Sequence, residues 1–185
     1  MDIFTAFGLS ASAGLNAYIP LLVLAFVARF TDLITLSSRW DTLTSWWVIG
    51  ILILLSVIEF FADKLPAINH INDIIQSFVR PAAGAIVFAA STNSLEVSPT
   101  LMMVAGLLIA GSVHTVKSVA VRPALTATTA GTANIPVSIL EDFISTLFSI
   151  IAIIIPVLVA ALIIIVTAAI IWWLWRKKRQ KSLVQ

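Results

Sequence analysis

The sequence has no cysteine, which excludes disulfides, thiolate metal sites and thiol nucleophiles. It is also poor in charge, with only 11% of its 185 residues Asp, Glu, Lys or Arg, and it has two histidines and a single tyrosine. No serine-hydrolase motif or Gly-rich nucleotide loop is present, so no enzyme activity is expected. What is abundant is hydrocarbon: 60% of residues are hydrophobic and the mean hydropathy is +1.07. A soluble core of this size cannot hide so much apolar surface, and the composition predicts an integral membrane protein. The N-terminal stretch carries Asp2 and no basic region ahead of its apolar run, which reads as a retained first helix rather than a cleaved signal peptide. The net charge of +2 comes mainly from Arg176, Lys177, Lys178, Arg179 and Lys181. That cluster reads as a positive-inside topology signal, not as a nucleic-acid contact.

A bilayer core takes about 20 apolar helical residues. Runs of that order predict an all-α, polytopic membrane helix bundle of about six spans at 4–30, 46–62, 81–92, 101–117, 137–155 and 157–175. They form one transmembrane domain, 1–175, followed by a basic cytoplasmic tail, 176–185. Gly8, Gly14, Asn16 and Pro20 interrupt the first run, so Ser10 to Asn16 reads either as a half-helix or as a small-residue surface for close packing. Leu65 to Val79 is amphipathic and fits the interface; Ala82 to Ala90 is too short to cross alone and either relies on Arg80 snorkelling or re-enters. The Thr-, Gly- and Asn-rich segment from Ser118 to Ile135 suits irregular backbone in a cavity or a loop, and Pro156 divides the long final run into a tight helical hairpin. Trp40, Trp46 and Trp47 mark one interface and Trp172, Trp173 and Trp175 another, with both termini cytoplasmic and the inner (plasma) membrane as the location. Val79-Arg80-Pro81-Ala82 recurs as Val121-Arg122-Pro123-Ala124, a hint of internal duplication.

The ionisable groups gather in two stretches, Glu59 to Pro81 and His114 to Asp142. A charge at membrane depth costs about 2.5–3.5 kcal/mol on insertion scales unless paired or hydrated, so such clusters need a reason. The expected arrangement is one hydrated polar pocket. Arg80, Lys117 and Arg122, with Lys64 and Asn16, bind an anion there, because the guanidinium fork matches carboxylate or phosphate. Glu59, Asp63, Asp73, His114, Glu141 and Asp142 are the proton-coupling or ion-pairing groups. A metal reading through His70, Asp73, His114, Glu59, Asp63 and Glu141 matches no established spacing, so neither metal nor cofactor is expected. Lys117-x4-Arg122-Pro123 is faintly similar to the lysine-to-Arg-Pro element of type-2 phosphatidate phosphatases, but the spacing differs and no Ser-Gly-His follows.

The motifs AGLNAYIPLL, EFFADKLP, FVRPAAGA, HTVKSVAVRP and SILEDF, in this order, resemble the bacterial multi-pass membrane family called domain of unknown function 4126. The resemblance covers nearly the whole chain and implies a compact helical inner-membrane protein, with no activity attached. Glu59, Asp63, Lys64, Arg80, Pro81, His114, Lys117, Arg122, Glu141 and Asp142 coincide with that family's polar pattern. The leading functional expectation is a small transporter or flippase-like carrier of an anionic, phosphate-bearing or lipid-linked substrate. It has membrane lipids around it and a second copy as a candidate partner. The alternatives are a non-transporting assembly or partner-binding protein with a structural ion-pair network, and a cation channel or divalent-metal carrier.

Overall fold

The computed structural model describes residues 3–36, 39–64, 66–92, 97–129 and 132–182, the side chains at 66–70, 174 and 178–182 excepted. Among these residues the chain is all helix and turn. The order is α1 (Ile3–Leu15), α2 (Tyr18–Phe30), a 3-10 turn (Asp41–Thr44), α3 (Trp46–Ala62), α4 (Pro66–Ser91) and α5 (Pro99–Val116). A π-helical turn (Lys117–Val121), α6 (Arg122–Thr129), α7 (Asn134–Ile154) and α8 (Pro156–Ser182) follow. Ile71–Ser91, Pro99–Thr129, Asn134–Ile154 and Pro156–Lys177 are long and apolar enough to cross a membrane, while α1, α2 and α3 are shorter apolar helices.

α1 lies at the centre, with Thr5, Ala6, Gly8, Leu9, Ser10, Ser12, Ala13 and Gly14 all buried. Its residues are small because other backbones come within van der Waals range. A Cβ on Gly14 would stand 2.6 Å from the Ala110 carbonyl of α5, and one on Gly8 would stand 2.6 Å from Ala152 of α7. α4 and α5 cross just as closely: a Cβ on Gly106 would collide with the Gly84 carbonyl oxygen. Such contacts let dispersion and interhelical hydrogen bonds hold helices together where no hydrophobic driving force acts. Ser10 Oγ donates to the Gly84 carbonyl at 2.8 Å and Ser145 Oγ to the Ser12 carbonyl at 3.1 Å. Of the two uses expected of 10–16, close packing is realised: Ser10 to Leu15 continue α1, which ends at Leu15.

Three expectations change. Leu65–Val79 and Ala82–Ala90 are not an interfacial helix and a separate short span: from Pro66 to Ser91 they form one helix of 26 residues that runs through Pro81. The prolyl ring is accommodated beside Gly111, where α5 presents no side chain. The segment expected to be irregular, 118–135, is helical through Thr129, with a turn at 132–133. The final run does break at Ile155, with Pro156 opening α8 where its missing N–H costs nothing. A tight hairpin would bury a stripe of α8, yet Val159 packs on Gly8 and the described side chains beyond Ile163 are exposed; only 6% of the span is buried. The outer surface carries Trp47, Ile51, Leu54, Phe61, Leu108, Ile164 and Trp172, all exposed, which is a surface made for hydrocarbon.

Candidate functional site

The two charged stretches meet. Asn72, Gln76 and Arg80 recur every four residues on α4 and form a polar stripe that faces the bundle, all three buried. Arg80 is 0% exposed; its Nη2 donates to Glu59 Oε1 at 3.0 Å and lies 3.6 Å from Asp63 Oδ2, and its Nη1 sits 3.3 Å from His114 Nδ1. Arg122 Nη1 donates to both oxygens of Asp73, at 3.0 and 3.1 Å, and its Nη2 reaches Asp63 Oδ2 at 3.4 Å and Glu141 Oε2 at 3.9 Å. Lys117 Nζ pairs with Glu141 Oε2 at 2.7 Å and donates to the Leu15 carbonyl at 3.1 Å, a cation on the C-terminal end of α1.

Lys117 and Arg122 are five apart, a spacing that would turn them about 140° from one another on an α-helix of 3.6 residues per turn. The π turn closes that angle: the Arg122 N–H reaches back five residues to the Lys117 carbonyl, and both side chains face the network. Pro123, which offers no N–H to the turn, follows immediately.

Asp63 caps α3 and is the hub. Asn72 Nδ2 donates to its Oδ1 at 2.6 Å and Ser138 Oγ to its Oδ2 at 3.4 Å, beside the two guanidinium groups. Burial by itself would raise the pKa of this carboxyl, but Arg80, Lys117, Arg122 and the Asn72 hydrogen bond together hold it below the ordinary aspartate value.

A satellite sits at the break between α1 and α2. Asn16 Oδ1 accepts from the Tyr18 and Ile19 N–H groups, each at 3.1 Å, which caps α2. Its Nδ2 donates to Asp142 Oδ1 at 2.9 Å, and Asp142 pairs with Lys64 at 3.2 Å. Lys64 also lies over the Phe60 ring, 3.3 Å from its centroid.

Every residue expected at the site is therefore in the network or its satellite. Sequence reasoning missed Tyr18, Asn72, Gln76, Ser77 and Ser138; the four-residue recurrence of Asn72, Gln76 and Arg80 was the readable signal for two of them. Around Arg80 the described charges are buried, with Arg80 0% and Glu59 1% exposed. Two apolar-walled clefts lie outside them. One, of about 490 Å³ between α5, the π turn and α7, is walled by Val113, Val116, Leu140 and Ile144 and has Lys117 and Glu141 on its lining. The other, of about 260 Å³, is lined by Ile19, Ser56, Phe60 and Phe61 with Asn16 and Asp142. No group of three or more His, Asp or Glu side chains among the described residues is arranged to hold a metal ion, and the His70 side chain lies outside them.

Fold and site together define an all-helical membrane protein with an ion-pair network where α3, α4, α5, the π turn and α7 meet. The chain belongs to the family described as Domain of unknown function (DUF4126), whose model matches residues 3–177. No curated protein and no solved structure matches it.

Proposed function

We propose that this protein is a small carrier, not an enzyme, that moves an anionic amphiphile, phosphate-bearing or lipid-linked, across a bacterial inner membrane. One observation carries the reading. The cleft of about 490 Å³ joins apolar walls to the Lys117–Glu141 pair, so a hydrocarbon tail and an anionic head have adjoining places. Its volume falls in the range of about 300–1,000 Å³ usual for small-molecule sites. The pair lies where α1 is interrupted and α5 passes through a π turn, and helices broken at a polar centre are how many carriers build a substrate site. An anionic head would take the place of the Glu141 carboxylate on Lys117 and Arg122 while acids of the network take up coupling protons. The basic tail supports a cytoplasmic C-terminus, and the balance of Arg and Lys between loops supports a cytoplasmic N-terminus.

The test is reconstitution into liposomes with a fluorescent phosphate-bearing lipid and a reporter of sidedness. Wild type is expected to move the label, and Lys117→Ala to lose at least tenfold in rate; equal rates with protein-free liposomes would end the proposal. A second reading, a structural network in a non-transporting partner-binding protein, is favoured by the complete burial of Arg80 and Glu59. It predicts no stabilisation by phosphate-bearing lipids in a thermal-shift series, where the carrier reading predicts a rise that Arg122→Ala weakens.

A further inference from the structure

The acids of the network differ in how well each is partnered. Among the described residues three cations, Arg80, Lys117 and Arg122, face four carboxylates, Glu59, Asp63, Asp73 and Glu141. Lys64 and Asp142 balance each other nearby. Asp73, the fourth of these acids, is 29% exposed, and the donors around the other three differ. Asp63 receives Asn72, Ser138 and two guanidinium groups; Asp73 has both oxygens on Arg122; Glu141 has Lys117 with Arg122 beyond. Glu59 has a single donor, Arg80 on Oε1; its Oε2, like Glu141 Oε2, is buried with no hydrogen-bond partner, but where Lys117 stands 2.7 Å from Glu141 Oε2 no described cation pairs with Glu59 Oε2.

His114 does not hold an extra proton. A guanidinium has only donors, so the His114 Nδ1 beside Arg80 is an acceptor and the ring proton sits on Nε2, shared with Ser77 Oγ at 3.2 Å. Ser77 in turn donates to the Asp73 carbonyl at 2.8 Å. A second proton on this ring would land on Nδ1, against Arg80.

A second buried oxygen without a partner lies on α4. Gln76 Oε1 is likewise buried with no hydrogen-bond partner, one helical turn from Arg80. We infer that Glu59 Oε2 is the seat of an exchangeable proton, the coupling ion of the carrier proposed above, and that its O–H is directed to Gln76 Oε1. The inference rests on that reading for the word coupling alone. A proton from hydronium adds to the Oε2 lone pair and leaves water, the carboxylate becomes a neutral acid, and the network carries one negative charge fewer; release reverses the step. The charged and titratable groups that face Glu59 are Tyr18 from α2, Asp63 at the end of its own helix, Arg80 from α4 and Lys117 from the π turn.

Infrared difference spectroscopy of the full chain in lipid nanodiscs, titrated from mildly acidic to alkaline pH, tests this. Wild type is expected to give the C=O band of a buried carboxylic acid that vanishes on the alkaline side. The band should be absent from Glu59→Gln, retained in Asp73→Asn, and moved in frequency by Gln76→Leu, which removes the acceptor but not the acid. A band that survives in Glu59→Gln, no band in wild type, or a band whose loss tracks sodium concentration instead of pH would overturn the inference. Transport of the labelled lipid separates the two proposals. If wild type transports and Glu59→Gln keeps the same pH dependence, the proton seat falls and the carrier stands; a Glu59 band without any transport leaves the seat and removes the carrier.

Discussion

Arg80 is a guanidinium with no exposed surface, and it persists there because Glu59, Asp63 and His114 surround it. Removing one partner of a buried pair leaves the other charge uncompensated, which typically costs about 3–5 kcal/mol. Arg80→Ala is therefore expected to lower the melting temperature in detergent sharply or to prevent folding. Arg80→Met together with Glu59→Gln should recover much of the loss, because the stranded carboxylate is gone. Asp63 gives a prediction in pH. Its folded pKa lies below its ordinary value, so the stabilisation it contributes is present above the unfolded pKa and is lost as pH falls through the folded one. Acid melting curves should show stability declining below about pH 4, the ordinary aspartate range, and Asp63→Asn should be less stable at neutral pH with that part of the decline removed.

Among the helices, packing is set by the glycines at crossings, and these differ in kind. The Gly106 Cβ position is occupied by the Gly84 backbone and Phe88, whereas Gly50 has nothing within 4 Å. Gly106→Val should force α4 from α5, with a loss of about 1–3 kcal/mol or more as for an overpacked core and a matching fall in folded yield. Gly50→Ala should be neutral or gain up to about 1 kcal/mol from helix propensity. Thermal denaturation of both variants in one detergent checks the pair. At the same scale, the residues of the site were readable one by one: charges beside apolar runs identified Glu59, Arg80, Lys117 and Glu141. Their mutual pairing was not. It depends on the π turn that swings Arg122 toward Asp73 and on the continuity of α4 through Pro81, and both are backbone adjustments made against neighbouring helices. Asn72, Gln76 and Ser138 were passed over because an uncharged amide or hydroxyl beside an apolar run carries no cost that demands explanation.

The whole molecule is a tight cluster of helices around α1, with α8 standing against it by its first turns. The absence of native cysteine makes this testable with single-cysteine variants and a lipid-soluble maleimide in reconstituted membranes. Cysteines at Leu108 and Ile164, both exposed, should label readily, and one at Ser12, fully buried, should not until the protein is denatured. Labelling of Ser12→Cys in the folded protein would mean that the centre opens to lipid. The sequence by itself determined that the chain is helical and lives in a membrane, where the helices begin and end to within a turn in most cases, and which polar side chains have no place in hydrocarbon. Those properties follow from local hydropathy and from the cost of each charge taken singly. Only the tertiary structure decided that the two charged stretches close on one another, with Arg80 and Glu59 buried between them, since pairing and burial belong to neighbours far apart in the chain.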